Sequence, residues 1–364
     1  MTFLRSTTKK LVWAFPVLAI IILLTGTILP AYVAAATWTD RTASGTRSWT
    51  DVACSSDCSK IIAADNSSSS ANLYRSTDAG VTWSAVTNGG SAFQKQWKRV
   101  ASSSDGTKLM ASEQSGDVYY STDSGANWSA ASLGTASWTG LCMSDDGTVM
   151  QAIANGTQVG YWFSNNSGSS WTNTSGLDAL TPNAIACSSD GTKAIVGMFG
   201  SDVYTSTNAA TGTPSWTSRT LTGSAFVNGV AMSNDGTKMA AVVSFAGDLW
   251  TSSDSGANWT DRSSAGTGGG GLWQSVAMSG DGATIVAVST VNVKSSTDSG
   301  ANWSTESGAG TATWKDAWVS DDGSYWVIGG TTTDIWTAGS VPVSAPSVTT
   351  GSASSVVGGL PCQW

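Results

Sequence analysis

The octapeptide Ser121-Thr-Asp-Ser-Gly-Ala-Asn-Trp128 governs how the rest of the chain is read, because it recurs. Ser76 to Trp83, Ser164 to Trp171, Ser252 to Trp259 and Ser296 to Trp303 keep the same frame, with Asn166 replacing the aspartate in one copy. A degenerate copy runs from Ser206 to Trp216, with Asn208 at the Asp position and an insertion through Pro214. A second element, V-A-x-S-x-D-G-T, alternates with the first. Its turns fall at Asp57-Cys58, Asp105-Gly106, Asp146-Gly147, Asp190-Gly191, Asp235-Gly236, Asp281-Gly282 and Asp322-Gly323, spaced 41 to 48 residues apart. A period of that size, with several short strands in each unit, is the pattern of propeller blades.

The octapeptide makes sense as a hairpin. An Asp carboxylate accepts hydrogen bonds from backbone N–H groups of the turn, and glycine supplies the positive φ. The tryptophan enters the next strand and offers a large ring to bury between sheets. The motif resembles the Asp box, or BNR repeat, S-x-D-x-G-x-x-W, of sialidases, xyloglucanase-type glycosidases, sortilin-type receptors and photosystem assembly factors. The resemblance extends over essentially the whole chain after its leader. It implies that Asp78, Asp123, Asn166, Asp254 and Asp298 are structural and lie away from any active centre.

Each unit divides into four strands, which in the second are expected at Trp97 to Ala101, Lys108 to Ser112, Asp117 to Tyr120 and from Trp128. Six boxes against seven Asp-Gly turns leave one unit short of its outer strand. Trp38-Thr-Asp-Arg-Thr42 matches Trp259-Thr-Asp-Arg-Ser263 and supplies the missing piece. The expected fold is therefore all-β: a single seven-bladed β-propeller of four-stranded blades over residues 37–338. The N-terminal strand closes the last blade beside Asp334 to Thr337 and removes the open sheet edge.

Both flanks differ from the repeats. Arg5, Lys9 and Lys10 precede an apolar run from Leu11 to Leu29, then Pro30 and the small-residue stretch to Ala36. This is the pattern of a secretory signal peptide cut near Ala34 to Ala36, although the run is also long enough for a retained anchor. Residues 1–36 are assigned to that leader, and the protein is expected to be secreted or held at the cell surface. Residues 339–364 are rich in Ser, Pro and Gly and read as a flexible tail.

Composition narrows the function. The 364-residue chain has a net charge of −8 and no histidine. The first argues against nucleic acid, which needs a basic stripe, and against anionic lipid, leaving membrane contact to a retained leader. The second removes Ser-His-Asp sites, Cys-His sites and every His-containing metal site. Cys54 and Cys58 flank a tight turn and are expected to form a disulfide staple. Cys142 and Cys187 occupy apolar positions and read as buried thiols, and Cys362 stands alone in the tail.

Residues common to every unit are scaffold, so function is sought where units differ. Asp117, Asp202, Asp248 and Asp334 each stand before the third strand of a unit. Trp49, Trp97, Trp138, Trp273 and Trp314 open the first strands, with Asp51 and Asp316 beside two of them. In a propeller these positions surround one mouth of the central channel. An aromatic and acidic rim suits stacking on sugars, or oxygen ligation of Ca²⁺, the one metal considered and with no other cofactor expected. The plain alternative is that the tryptophans pack blade on blade and the aspartates make turns.

Sialidase chemistry, as the resemblance implies it, needs three converging arginines, a Tyr/Glu pair and an Arg-x-Pro motif. The chain has no Arg-x-Pro, and its only glutamates are Glu113 and Glu306. Arg41, Arg47, Arg75, Arg99, Arg219 and Arg262 show no triad. The expected function is a monomeric binding scaffold for glycans or for extracellular or surface proteins, with no catalytic residue assigned. An inverting two-aspartate glycoside hydrolase and a photosystem-assembly-like binding factor are the alternatives.

Overall fold

The computed structural model describes residues 36–67, 71–156, 160–174, 176–178, 180–200, 202–221, 226–244, 247–263 and 272–340. The leader up to residue 35, and the tail from 341 with Cys362, lie outside the described residues. What is described is all-β, with antiparallel sheets joined by tight turns. One four-stranded sheet runs Trp97–Ser102, Leu109–Glu113, Val118–Ser121 and Ser129–Ala130, in chain order. Its second and third strands begin one residue later than the sequence pattern places them. Four more such sheets start with Ser137–Met143, Pro182–Cys187, Phe226–Met232 and Trp273–Met278.

Thr87–Asn88 and Ser91–Ala92 form a two-stranded hairpin, and the remaining strands share an eight-stranded sheet. Thr313–Val319 pairs with Tyr325–Thr333, which pairs with Ile335–Gly339, and that strand pairs with Trp38–Arg41. Trp38 lies opposite Ala338 and Arg41 opposite Ile335, so the two described ends of the chain are neighbours. Tyr325–Thr333 also touches Arg47–Cys54, which starts the series Ile61–Asp65, Leu73–Ser76 and Ser84–Ala85.

The first strand of each series is the innermost. Arg47–Cys54 touches Trp97–Ser102, contact passes along the series to Thr313–Val319, and that strand touches Arg47–Cys54 again. At the far end of these strands the backbone closes a hydrogen-bonded circle. Ser56 N donates to Ser104 O, Ser104 N to Asp145 O, Asp145 N to Ser189 O and Ser189 N to Asn234 O. Asn234 N donates to Gly280 O, Gly280 N to Asp321 O, and Asp321 N back to Ser56 O.

Both repeated turns are built by side chain to backbone bonds. Asp123 Oδ1 accepts from Asn127 N at 2.9 Å, Gly125 N donates to Ser121 Oγ at 2.9 Å, and Trp128 Nε1 donates to Gly125 O at 3.1 Å. Asp78, Asp254 and Asp298 repeat the carboxylate bond, and Asn166 reproduces it with its amide oxygen. Gly125 has φ 80°, and Ser124 before it is also left-handed at φ 59°. In the Asp-Gly turns, bonds from Ser233, Thr237 and the Thr237 N–H hold Asp235 at a pKa of about 2.

The cysteines depart from expectation. Cys54 and Cys58 are free, buried thiols rather than a disulfide. Cys58 takes the turn position that is glycine in the other six turns, with φ 51°, and its thiol is hydrogen-bonded to Cys54. Burial pushes the Cys58 thiol well above its usual range, so it is a poor nucleophile. Cys142 and Cys187, read as separate buried thiols, are instead disulfide-bonded across adjacent inner strands, with Cα atoms 6.1 Å apart. Their separation of 45 residues is one repeat, which is why the partners meet on neighbouring strands.

Candidate functional site

The inner strands enclose a cavity of about 220 Å³. Where they begin, the equivalent positions are Asp51, Arg99, Gly140, Ala184, Gly229, Ser275 and Asp316, and all line it. These positions reach toward the next inner strand, and the glycines allow close approach. A Cβ on Gly229 would lie 2.8 Å from Ser275 Cα and 3.0 Å from Val276 N. The larger residues bridge the gap with polar groups instead. Asp51 Oδ2 accepts from Val100 N at 2.6 Å, Asp316 Oδ2 accepts from Val52 N at 2.9 Å, and Arg99 Nε donates to Thr139 O at 2.7 Å.

The Asp51 and Asp316 carboxyl groups adjoin each other, Arg99 Nη1 lies 3.2 Å from Asp51 Oδ1, and Ser275 lies beside Asp316. The result is a polar arc across five inner strands, centred where the first and last repeats meet. Both carboxyl groups are buried side by side, which disfavours charging the two together. Burial, then the neighbouring Asp316, pushes Asp51 well above the ordinary carboxylate range. Burial also raises Asp316, against the opposing bonds from Ser275 and Val52 N and the charge of Arg99.

The folded protein therefore keeps a proton that the unfolded chain releases near pH 4. Stability from this pair is fully present below that pH and is lost as the pH rises through the raised folded value. Thermal scans are expected to show a melting temperature that falls toward alkaline pH, with a shallower fall in Asp316→Asn. Equal slopes in the two proteins would remove the pair as the cause.

The tryptophans expected on a ligand-facing rim are not there, and this corrects the reading. Trp49, Trp97, Trp138, Trp273 and Trp314 are each 0–1% exposed. Trp97 packs on Ala53, Ile62 and Leu73 of the preceding sheet, and Trp273 on Ala240, Val242 and Leu249. Trp138 Nε1 donates to Gly116 O at 2.9 Å and Trp273 Nε1 to Gly247 O at 2.8 Å. These rings join one sheet to the next.

The rim aspartates serve their own loops. Asp117 Oδ1 accepts from Val118 N and Leu133 N, Asp202 Oδ1 from Leu221 N, Asp248 Oδ1 from Ser263 Oγ and Asp334 Oδ1 from Thr46 Oγ1. Each ties the loop before a third strand to the connection that leads onward or closes the ring. Only Asp51 and Asp316, of the proposed set, are brought together. Among the described residues no group of three or more Cys, Asp or Glu side chains is arranged to hold a metal ion.

At the opposite end of the cavity Asp145 and Asp321 face the same space. Burial first, and then Asp321, raises Asp145 to about 6. Asp321 is raised by burial and accepts from Asn234 Nδ2 at 3.3 Å. Sequence reasoning missed Arg99, although comparing the same column across repeats singles it out. It also missed an apolar feature near the first mouth. Phe199 is 51% exposed, Leu272 44% and Val291 55%. Phe199 bridges to Phe226 at the start of an inner strand, Leu272 precedes another, and Thr290 N donates to Leu272 O. All three lie at the end where the inner strands begin, Phe199 in the fourth repeat and Leu272 and Val291 in adjoining loops of the sixth.

No family model matches the sequence, and no curated protein matches it. Solved structures do. YCF48 from Cyanidioschyzon merolae is 14% identical, with 84% of this chain and 98% of that chain covered and a TM-score of 0.61. YCF48 bound to D1 peptide is also 14% identical, with coverage of 84% and 96% and a TM-score of 0.63. The GH74 xyloglucanase from Xanthomonas campestris is 16% identical, with 83% of this chain but 53% of that chain covered and a TM-score of 0.62. At such identities the likeness establishes the fold alone, and the chain is a β-propeller.

Proposed function

We propose that this is an exported, monomeric, seven-bladed propeller of the Asp-box kind that binds an extended segment of a protein partner at the mouth where its inner strands begin. Seven blades and closure by the N-terminal strand are supported by the circle of backbone bonds and by the pairing of Trp38–Arg41 with Ile335–Gly339. The leader pattern supports export.

The observation that carries the binding reading is the exposure of Phe199, Leu272 and Val291 at one end of the repeats, with Leu272 and Val291 grouped in adjoining loops beside a polar channel mouth. Grouped exposed apolar side chains mark interaction surfaces, whereas single ones carry no such meaning. The match to nearly the full length of a peptide-bound propeller is consistent with this reading. Hydrolysis is less well supported. An inverting glycosidase holds its carboxyl groups roughly 6.5–9.5 Å apart, while Asp51 and Asp316 adjoin each other and are each tied to the backbone of the next inner strand. The xyloglucanase chain is also about twice the length matched here.

The test is a parallel screen of the purified protein on immobilised peptides and on glycans, with Ca²⁺ and with chelator. Retention of apolar-containing peptides is expected, weakened at least about tenfold in Phe199→Asp and Leu272→Asp, as fits the loss of buried contact residues. Selective glycan retention without peptide binding would overturn the reading in favour of a lectin. Release of reducing sugar from xyloglucan would favour a hydrolase.

A further inference from the structure

Glu306 is 2% exposed and follows the short strand Ser304–Thr305. Its Oε1 accepts from Ser295 Oγ at 2.6 Å. Its Oε2 accepts from Trp38 Nε1 at 3.2 Å and from the backbone nitrogen of Ala36 at 3.1 Å. Among the described residues it takes part in no ion pair, since the three present are Arg47–Asp65, Lys95–Glu113 and Arg99–Asp51. A carboxylate so deeply buried is stable only when paired or fully hydrogen-bonded. The chain leading into the first strand is fitted closely to this place. A Cβ on Gly308 would meet Trp38 Cδ1 at 3.1 Å, and Ala36 and Trp38 pack on the cluster that contains Ala309 and Trp326.

Ala36 is also where the leader pattern ends. Peptidases that remove export leaders need small residues at the first and third positions before the cut. Ala34-Ala-Ala36 satisfies that need with two alanines, and Val33-Ala-Ala35 with alanine at the first position and the larger valine at the third. The residue pattern alone favours the cut after Ala36, whereas the structure favours the cut before it, because the nitrogen held by Glu306 is that of Ala36.

We propose that the leader is removed between Ala35 and Ala36, and that the α-ammonium so created docks on Glu306 as its missing cation. In the reaction water adds across the Ala35–Ala36 amide under a leader-cleaving endopeptidase, and the C–N bond breaks. Ala35 departs with the new carboxylate, and the Ala36 amine takes up a proton at neutral pH. The neutral N–H donor of the uncut chain thereby becomes a charged one at the same carboxylate. Glu306 is then the receptor for the processed N-terminus and fixes the strand Trp38–Arg41 against Ile335–Gly339.

This proposal rests on the export reading, and one experiment separates the two. The full chain is produced in a host with a general secretion pathway, and the product is located, weighed intact and sequenced from its N-terminus. Exported protein beginning at Ala36 is the expected result. Exported protein beginning at Thr37, or retaining its leader as an anchor, overturns the cut and leaves export standing. Uncut protein that remains inside the cell overturns both.

A second measurement tests the docking. The amine's folded pKa is raised by its partner, so stability is fully present below about pH 7.7 and is lost as the pH climbs through the raised value. The processed protein is expected to lose several degrees of melting temperature over that window, and Glu306→Gln to lose less over the same window. Identical profiles in the two proteins would overturn the docking.

Discussion

Replacing Trp273 by Ala is expected to destabilise the protein by about 4 kcal/mol, in the range found when a fully buried large aromatic is truncated. The ring is 1% exposed and fills the space between its own strand and Ala240, Val242 and Leu249 of the preceding sheet. Its indole N–H also satisfies Gly247 O, which would lose this partner. Trp273→Phe keeps most of the volume and should cost less. Chemical denaturation followed by fluorescence measures both. The fraction of Trp273→Ala that remains folded should bind ligand as the wild type does, because no part of the ring reaches the mouth. Selective loss of binding at unchanged stability would restore the tryptophan to the rim.

Reduction of the Cys142–Cys187 bond, or its removal in Cys142→Ser, is expected to lower stability by roughly 4 kcal/mol from loop-closure entropy alone. The bond closes a loop of 45 residues, one full repeat, within the inner ring. Because adjacent inner strands are held side by side by many other contacts, the reduced protein should still fold, only less stably. Denaturation curves with and without reductant give the shift. Thiol labelling of the unreduced, denatured chain should mark Cys54 and Cys58 and spare Cys142 and Cys187. Labelling of Cys142, or a linked Cys54–Cys58 peptide in the mass spectrum, would overturn the assignment.

The all-β class and the turns were legible because they depend on local chemistry that repeats. Ser121, Asp123 and Gly125 satisfy one another within eight residues, and six near-copies make the pattern unmistakable. The direction of the tryptophans was not legible. Each of the five inner strands that carry one of these Trp residues at or near its start has a register shift immediately after it, between Trp49 and Asp51, Trp97 and Arg99, Trp138 and Gly140, Trp273 and Ser275, and Trp314 and Asp316. Such an irregularity breaks the simple alternation of side chains. It lets the ring turn into the packed layer while the residue two places on reaches along the channel wall to the next strand.

The contact between Asp51 and Asp316 could not be read from a linear chain either, since 265 positions separate them. It exists only because the last repeat returns to the first. The cysteines show the same limit. The short spacing of Cys54 and Cys58 suggests a pair, but the bond forms between residues one repeat apart, which only the ring brings together.

The circle of backbone bonds from Ser56 through Asp321 and back has no first member. Trp38 sits opposite Ala338, so the described chain ends side by side in antiparallel strands. A short connector from Ser340 to Ala36, with a new opening at another loop between repeats, would leave every neighbouring pair of strands in place. Circular permutation should therefore cost this molecule little beyond the opened loop and the Ala36 α-ammonium, which the connector turns back into a neutral amide. The order in which the repeats are synthesised is then free to differ from the order in which they meet a partner.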